Sequence, residues 1–296
     1  MKTPRWLGAT TWLLCCGLWG ADAHATAENC VLDAPAMVML GHYDPSAARP
    51  IPVGWNLAVR TRNPKVGCRA RLQMEVPDSA GNLVLRGSDP AGLRLSLSQD
   101  ASGNLPMLVA PQEIGSFDLG PGEQAQFTFW AWRGAGQWVS PGLYRGTARL
   151  GLLDDQGRML DHRDVDFQTL LNASVRAGFG KINTQSGLNS SRLDFGELTQ
   201  GAKRHAILAV QSNTAYTITL SSAQQGRLVN RSFTSASIAY LLRIDGMPLP
   251  LTQADASLNV MRRGQQSHDI EVEIGPVQRV IAGEYADSLL ITISAQ

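Results

Sequence analysis

The sequence predicts an all-β protein built of β-sandwiches. Three observations carry that prediction. Apolar and polar residues alternate with period two in many short segments, as they do in strands with one buried face. Clusters of Gly, Pro, Asn, Asp and Ser separate those segments at regular intervals. No long amphipathic helix pattern interrupts them.

The elements follow in chain order. Lys2 and Arg5 give a positive start, and Trp6 to Trp19 is a short apolar run. Three overlapping small-x-small sites follow, Ala21-Asp22-Ala23, Ala23-His24-Ala25 and Ala25-Thr26-Ala27. Residues 1–25 therefore read as a secretory signal with its cleavage site open among these. The run is too short to span a bilayer, and no later stretch is long enough. Leu14-Cys15-Cys16 fits a lipoprotein signal poorly, because the residue before the modified cysteine should be small. About 270 residues remain, enough for two ordinary domains. The formal net charge of +1 gives no electrostatic case for nucleic acid or an anionic membrane. The mature cysteines, Cys30 and Cys68, are most simply a disulfide in an oxidising compartment. It would close a loop of about 38 residues, worth on the order of 3–4 kcal/mol in the chain-entropy account.

Alternating strands are predicted at 55–60, 69–76, 146–152, 206–210, 216–220, 269–274 and 288–293. Turns are predicted at 78–82, 99–104, 119–122, 154–157 and 245–246. A weak internal repeat links the two halves. Gly142-Leu143-Tyr144 and Gly283-Glu284-Tyr285 each open a late strand. Met39-Leu40-Gly41 and Leu193-Asp194-Phe195-Gly196 each precede an earlier one. Two copies of one sandwich result, 26–176 and 177–296, with the boundary near residue 176.

Leu193-Asp194-Phe195-Gly196, Ala209-Val210-Gln211-Ser212-Asn213 and Ala282-Gly283-Glu284-Tyr285-Ala286-Asp287-Ser288 stand in a characteristic order ahead of a terminal strand. Gly41-His42-Tyr43-Asp44-Pro45, Gly136-Gln137 and Pro141-Gly142-Leu143-Tyr144 match more loosely in the first half. In these features the chain resembles the spore coat protein U family, the subunits of archaic (Csu-type) chaperone–usher pili. The second half departs from single-domain members in having no cysteine. The resemblance implies immunoglobulin-like sandwiches, the second lacking its last strand and completed by donor-strand complementation, a form of β-strand addition. It implies a periplasmic chaperone, an outer-membrane usher and a next pilin donating its N-terminal strand. An abiotic or host surface would be the adhesion target, and the cell-surface pilus tip the location.

Two local features are read against that expectation. No strand follows 288–293, so Leu289, Ile291 and Ile293 would form an open acceptor edge, a hazard unless covered. The segment ahead of Cys30 is short for a donor strand, which needs roughly ten residues at about 3.3 Å each. Between the halves, Val165, Phe167, Thr169, Leu171, Ala173 and Val175 share one face, predicting a last strand of the first domain supplied in cis. A complete first domain and an incomplete second one resemble a two-domain tip adhesin.

Chemistry was sought along the chain. The five histidines are scattered, and no His-x-x-x-His or Cys-x-x-Cys spacing occurs, so no metal or cofactor is expected. No Gly-x-Ser-x-Gly elbow occurs, and no enzyme is expected. Gly120-Pro121-Gly122-Glu123-Gln124-Ala125 formally fits a dinucleotide fingerprint, but it leads into a strand and reads as a turn. Asp154, Asp155, Asp161, Asp164 and Asp166 read as a solvated hairpin tip more readily than as a calcium site. Phe127, Phe129 and Ala131 oppose Trp130 and Trp132 across a strand, one set being core. Two apolar loops are the candidate surface-binding elements: Leu105, Met107, Leu108 and Val109 in one, Trp138 and Val139 in the other. Each has a competing reading as a packing element. The rival functions are a shaft or adaptor subunit and a secreted carbohydrate-binding sandwich.

Overall fold

The computed structural model describes residues 27–47, 51–75, 82–102, 112–180, 190–252, 255–278 and 280–296. Residues 1–25, which the sequence reads as a secretory signal, and the loop residues Leu105, Met107, Leu108 and Val109 lie outside the described residues.

Ten strands build the first sandwich: β1 Cys30–Asp33, β2 Met37–Tyr43, β3 Val53–Thr61, β4 Cys68–Glu75, β5 Leu83–Leu85, β6 Leu93–Ser98, β7 Gln112–Leu119, β8 Gln124–Arg133, β9 Gly142–Leu153 and β10 Met159–Leu171. They form two sheets, β1-β3-β8-β6-β5 and β2-β10-β9-β4-β7. The alternation sets which face is buried. In β4, Ala70, Leu72 and Met74 point inward while Arg69, Arg71 and Gln73 face out. The inward residues of both sheets meet in one core around Trp55, Phe129, Tyr144 and Phe167. The Cys30–Cys68 disulfide ties β1 to β4 across the two sheets, with an S–S distance of 2.05 Å.

A second core holds the remaining ten strands: β11 Val175–Phe179, β12 Lys203–Ser212, β13 Tyr216–Ser222, β14 Arg227–Asn230, β15 Ser237–Ile244, β16 Met247–Leu249, β17 Ala256–Val260, β18 Gly264–Ile274, β19 Tyr285–Ala286 and β20 Leu289–Ala295. One sheet runs β11-β12-β18-β15-β14-β19, with β16 hairpinned onto β15. The other is β17-β13-β20. The β15–β16 turn, Asp245-Gly246, has both φ values positive, 52° and 78°. That is the geometry of a tight two-residue hairpin, where Asp and Gly are favoured.

The strand expected over 165–175 is two elements. β10 ends at Leu171, and Val175 opens β11, which pairs with β12 in the second core. Val165, Phe167, Thr169 and Leu171 are buried, whereas Ala173 is exposed. The alternation breaks in the connection 172–174, where Asn172 and Ala173 are both exposed. β10 lies antiparallel to β9 and parallel to β2, filling the first sandwich in cis.

The two sandwiches share a repeated local pattern. Tyr144 donates to the carbonyl of Ser140 at 2.6 Å, and Tyr285 to that of Ile281 at 2.5 Å. Both are tyrosine corners, in which the hydroxyl bonds back to the chain upstream. Each follows a glycine at positive φ, Gly142 at 141° and Gly283 at 153°. Beyond the corners the registers coincide. Leu150 and Leu152 pair with Met74 and Leu72, as Ile291 and Ile293 pair with Leu220 and Ile218. So β20 is the counterpart of β9, and β13 of β4.

Candidate functional site

That correspondence exposes a difference. In the first sandwich β9 lies between β4 and β10. In the second, β20 is bonded to β13 on one side, and among the described residues no strand takes the place of β10 on the other. The consequence appears in the side chains. Ala148, Leu150 and Leu152 are 1%, 0% and 0% exposed. Their counterparts Leu289, Ile291 and Ile293 are only half-buried. Leu150 and Leu152 are matched in size by Ile291 and Ile293, which are nonetheless less covered.

The edges of the two sheets frame an apolar groove. β11 is the edge of one sheet and β20 the edge of the other, and the two strands approach each other. Val175, Ala177 and Phe179 of β11 are half-buried. Leu193 and Phe195, from the Leu193-Asp194-Phe195-Gly196 motif, are half-buried against the same core. The Arg204 guanidinium lies 5.6 Å from the centre of the Phe195 ring. A cation over an aromatic face is attractive, and here it helps fix the motif beside the groove. The sequence reading placed Leu289, Ile291 and Ile293 on this edge. It did not name Val175, Ala177 and Phe179 as walls, although their alternation was visible.

A carboxylate pins the place where the chain crosses from β19 to β20. Asp287 Oδ2 accepts hydrogen bonds from Ser222 Oγ and Tyr240 OH, both at 2.6 Å. Its Oδ1 accepts from the amides of Gln224 at 3.0 Å and Ser288 at 2.7 Å. Burial pushes the Tyr240 phenol well above its usual range, and the hydrogen bond to Asp287 adds to the shift. Tyr240 therefore stays a donor to Asp287 at the strand crossing. Deeper in the same core, His268 bridges Tyr216 OH at 2.6 Å and Asp245 Oδ2 at 2.7 Å. Burial, with the Asp245 charge behind it, raises the Tyr216 pKa to about 12. These are satisfied polar links, with no nucleophile facing a base across a cleft.

The other sequence candidates are dispersed. Asp154 binds the Arg158 side chain and two turn amides, Asp164 binds Arg149, and Asp166 binds Thr147. Asp161 accepts from the Leu32 amide. They do not converge, and among the described residues no cluster of three potential metal ligands occurs. Gly120-Pro121-Gly122 is a turn between β7 and β8. Phe129 and Ala131 are core, while Trp130 and Trp132 lie half-buried on the outer face, Trp130 over Gly54.

Trp138 and Val139 are not the exposed pair that the loop composition suggested. Val139 packs against the first core. Trp138 is half-buried, with the Arg176 guanidinium 5.1 Å from its ring centre. The covering residue comes from β11, far in sequence, so the local pattern carried no sign of it.

No family model matches the chain, and no curated protein matches it. Solved structures show likenesses at low identity. One is a chaperone–tip adhesion subunit pre-assembly complex from archaic chaperone–usher Csu pili of Acinetobacter baumannii, at 12% identity, TM-score 0.48, over 89% of this chain and 99% of that one. Another is a chaperone–tip adhesin complex of CFA/I fimbriae, at 11% identity, TM-score 0.38, over 89% and 97%. A third is the CupB6 tip adhesin from Pseudomonas aeruginosa, at 11% identity, TM-score 0.36, over 90% and 96%.

Proposed function

We propose that the chain is the tip adhesin subunit of a chaperone–usher pilus. Its second sandwich is completed by a strand donated from the next pilin, and its first is complete in itself. One observation carries the reading: Ala148, Leu150 and Leu152 are sealed by β10, whereas the matching Leu289, Ile291 and Ile293 lie half-covered on an unpaired edge. An open apolar edge invites another strand. Backbone bonds to such a strand supply affinity, and pockets for alternate side chains supply specificity. A periplasmic chaperone would hold the groove until the usher exchanges it for the neighbour's strand. A single groove in a two-sandwich chain suits a subunit that accepts one partner and ends the fibre. This reading places residues 26–176 at the tip and 177–296 as the pilin-like unit. Attachment to a surface, and from it biofilm formation, then falls to the first sandwich, with Leu105, Met107, Leu108 and Val109 its apolar loop candidate.

The test is to fuse an alternating apolar strand to the C-terminus through a flexible linker. The fused chain should show a second sandwich that is more stable and more protease-resistant than that of the unfused chain. A second sandwich equally stable without the strand would refute the missing-strand reading. The tip position is tested by immunogold labelling of fibres. Label along the whole shaft would exclude it.

A further inference from the structure

The Gln211-Ser212-Asn213 segment belongs to a motif that the groove does not use. The structure gives it a different role. Asn213 is 1% exposed. Its Nδ2 donates to the carbonyl of Asn172 at 3.0 Å, and its Oδ1 accepts from the Ser174 amide at 2.8 Å. The Asn213 amide and Ser212 Oγ both donate to the carbonyl of Ser174, at 3.2 and 3.1 Å. The short connection between β10 and β11 is thus bonded at both its ends, Asn172 and Ser174, to the second sandwich. Gln211 extends the grip: its Oε1 accepts from Arg176 Nε at 3.1 Å and Nη2 at 2.7 Å. Arg176 in turn lies across Trp138 of the first sandwich.

A second link crosses elsewhere. Asp89, in the turn after β5, is 6% exposed. Its carboxylate accepts from the amides of Ala91 at 3.0 Å and Ser140 at 3.1 Å. The remaining charge meets Arg263, from the loop before β18, at 2.6 Å. Arg263 also bonds Ser140 Oγ. A nearly buried carboxylate with a charged partner is costly to leave alone, so removing Arg263 should be felt at Asp89.

We propose that these contacts make the junction between the two sandwiches a fixed joint, and that the chain moves as one rigid rod. Three groups build it: the Asn213 clamp on the connection, the Arg176–Trp138 stack and the Asp89–Arg263–Ser140 pair. A bare three-residue connection would let two domains reorient, the ordinary expectation for a small polar interface. Here the connection's polar groups and both flanks are engaged. The joint also says where the first sandwich meets a target. The 134–141 loop and the Asp89 turn are taken up by the second sandwich. The opposite end carries the β3–β4, β7–β8 and β9–β10 turns, and it is left free to lead.

Pulsed dipolar spectroscopy tests the joint on the full secreted chain. Labels are placed at exposed Lys65 in the first sandwich and Gln224 in the second, through non-natural residues that leave the disulfide intact. A single narrow distance distribution is expected. Arg263→Ala combined with Trp138→Ser should broaden it, and Arg263→Lys alone should keep most of the narrowness. Near-UV circular dichroism of each variant checks that both sandwiches remain folded. A broad distribution in the unaltered chain would overturn the proposal. So would a double variant that is folded and as narrow as the parent.

Discussion

Equivalent positions in the two sandwiches offer an internal control for the open groove. Leu150 and Ile291 face their cores from matching strands, in matching register. Leu150 is 0% exposed. Truncating it to alanine should cost about 2–5 kcal/mol, the usual range for a large aliphatic residue in a sealed core. Ile291 is half-buried, so Ile291→Ala should cost less, about 1 kcal/mol, roughly half of the full transfer value. Adding the donor strand should bring the cost of Ile291→Ala up to the Leu150 range, because the truncation then leaves a cavity. The assay separates the two sandwiches without any label. Trp55, Trp130, Trp132 and Trp138 all precede β11, and the second sandwich has tyrosines but no tryptophan. Tryptophan emission in urea therefore follows the first sandwich, and far-ultraviolet circular dichroism follows both. If Ile291→Ala without a donor costs as much as Leu150→Ala, the groove is already filled and the argument fails.

Three further outcomes follow from single contacts. Replacing Cys30 and Cys68 together with alanine should cost the first sandwich on the order of 3–4 kcal/mol, read as a shift in the tryptophan-detected midpoint; mass analysis with and without reduction should report one disulfide. Tyr144→Phe should destabilise the first sandwich by about 1 kcal/mol, the value of a buried hydrogen bond, and an unchanged midpoint would mean the corner is not structural. On the outer face of the second sandwich, hydrogen bonds from Arg243, then Lys203, hold Glu271 below the usual carboxylate pKa, and Arg243 does the same for Glu273. A lowered folded pKa gives stability that is present above the unfolded value near 4.5 and is lost as pH falls through the folded one. Arg243→Met should flatten that acid-side loss in melting temperature, and an unaltered pH profile would count against the network.

The sequence disclosed the strands because period two is a local property. β3, β4, β9, β12, β13, β18 and β20 all fall where alternation put them, within a few residues. The Asp245-Gly246 turn was as legible, since it needs positive φ at both positions and few residue pairs accept it, whereas the turns expected at 78–82 and 99–104 lie partly outside the described residues. The disulfide followed from there being two mature cysteines. What alternation cannot report is the state of the far side of a strand. Val165-Asp166-Phe167 and Ile291-Thr292-Ile293 read alike, yet the first lies between two strands and, among the described residues, the second pairs with one. The same limit explains why the sequence left two readings open at 138–139. A tryptophan in a glycine-rich loop has the composition of an exposed tip, and its cover by Arg176 comes from a strand far along the chain.

These two long-range facts bear on one another. A strand added at β20 would load the second sandwich at its open edge. A surface gripped by the first sandwich would load the other end of the chain. Between them stands a connection bonded to Ser212 and Asn213 and flanked by Arg263 and Arg176. Without the joint, pulling would first straighten the connection and then turn the first sandwich on a loose hinge, and the approach angle to a target would vary. With the joint, the direction of pull and the orientation of the leading turns are coupled. The buried position of Asp89 is the economical part of the arrangement. Its carboxylate is already fixed by the Ala91 and Ser140 amides, so Arg263 needs to order only its own side chain to complete the link. A half-exposed arginine meeting a preformed, nearly buried acceptor gives up less conformational freedom than two mobile side chains meeting in solvent.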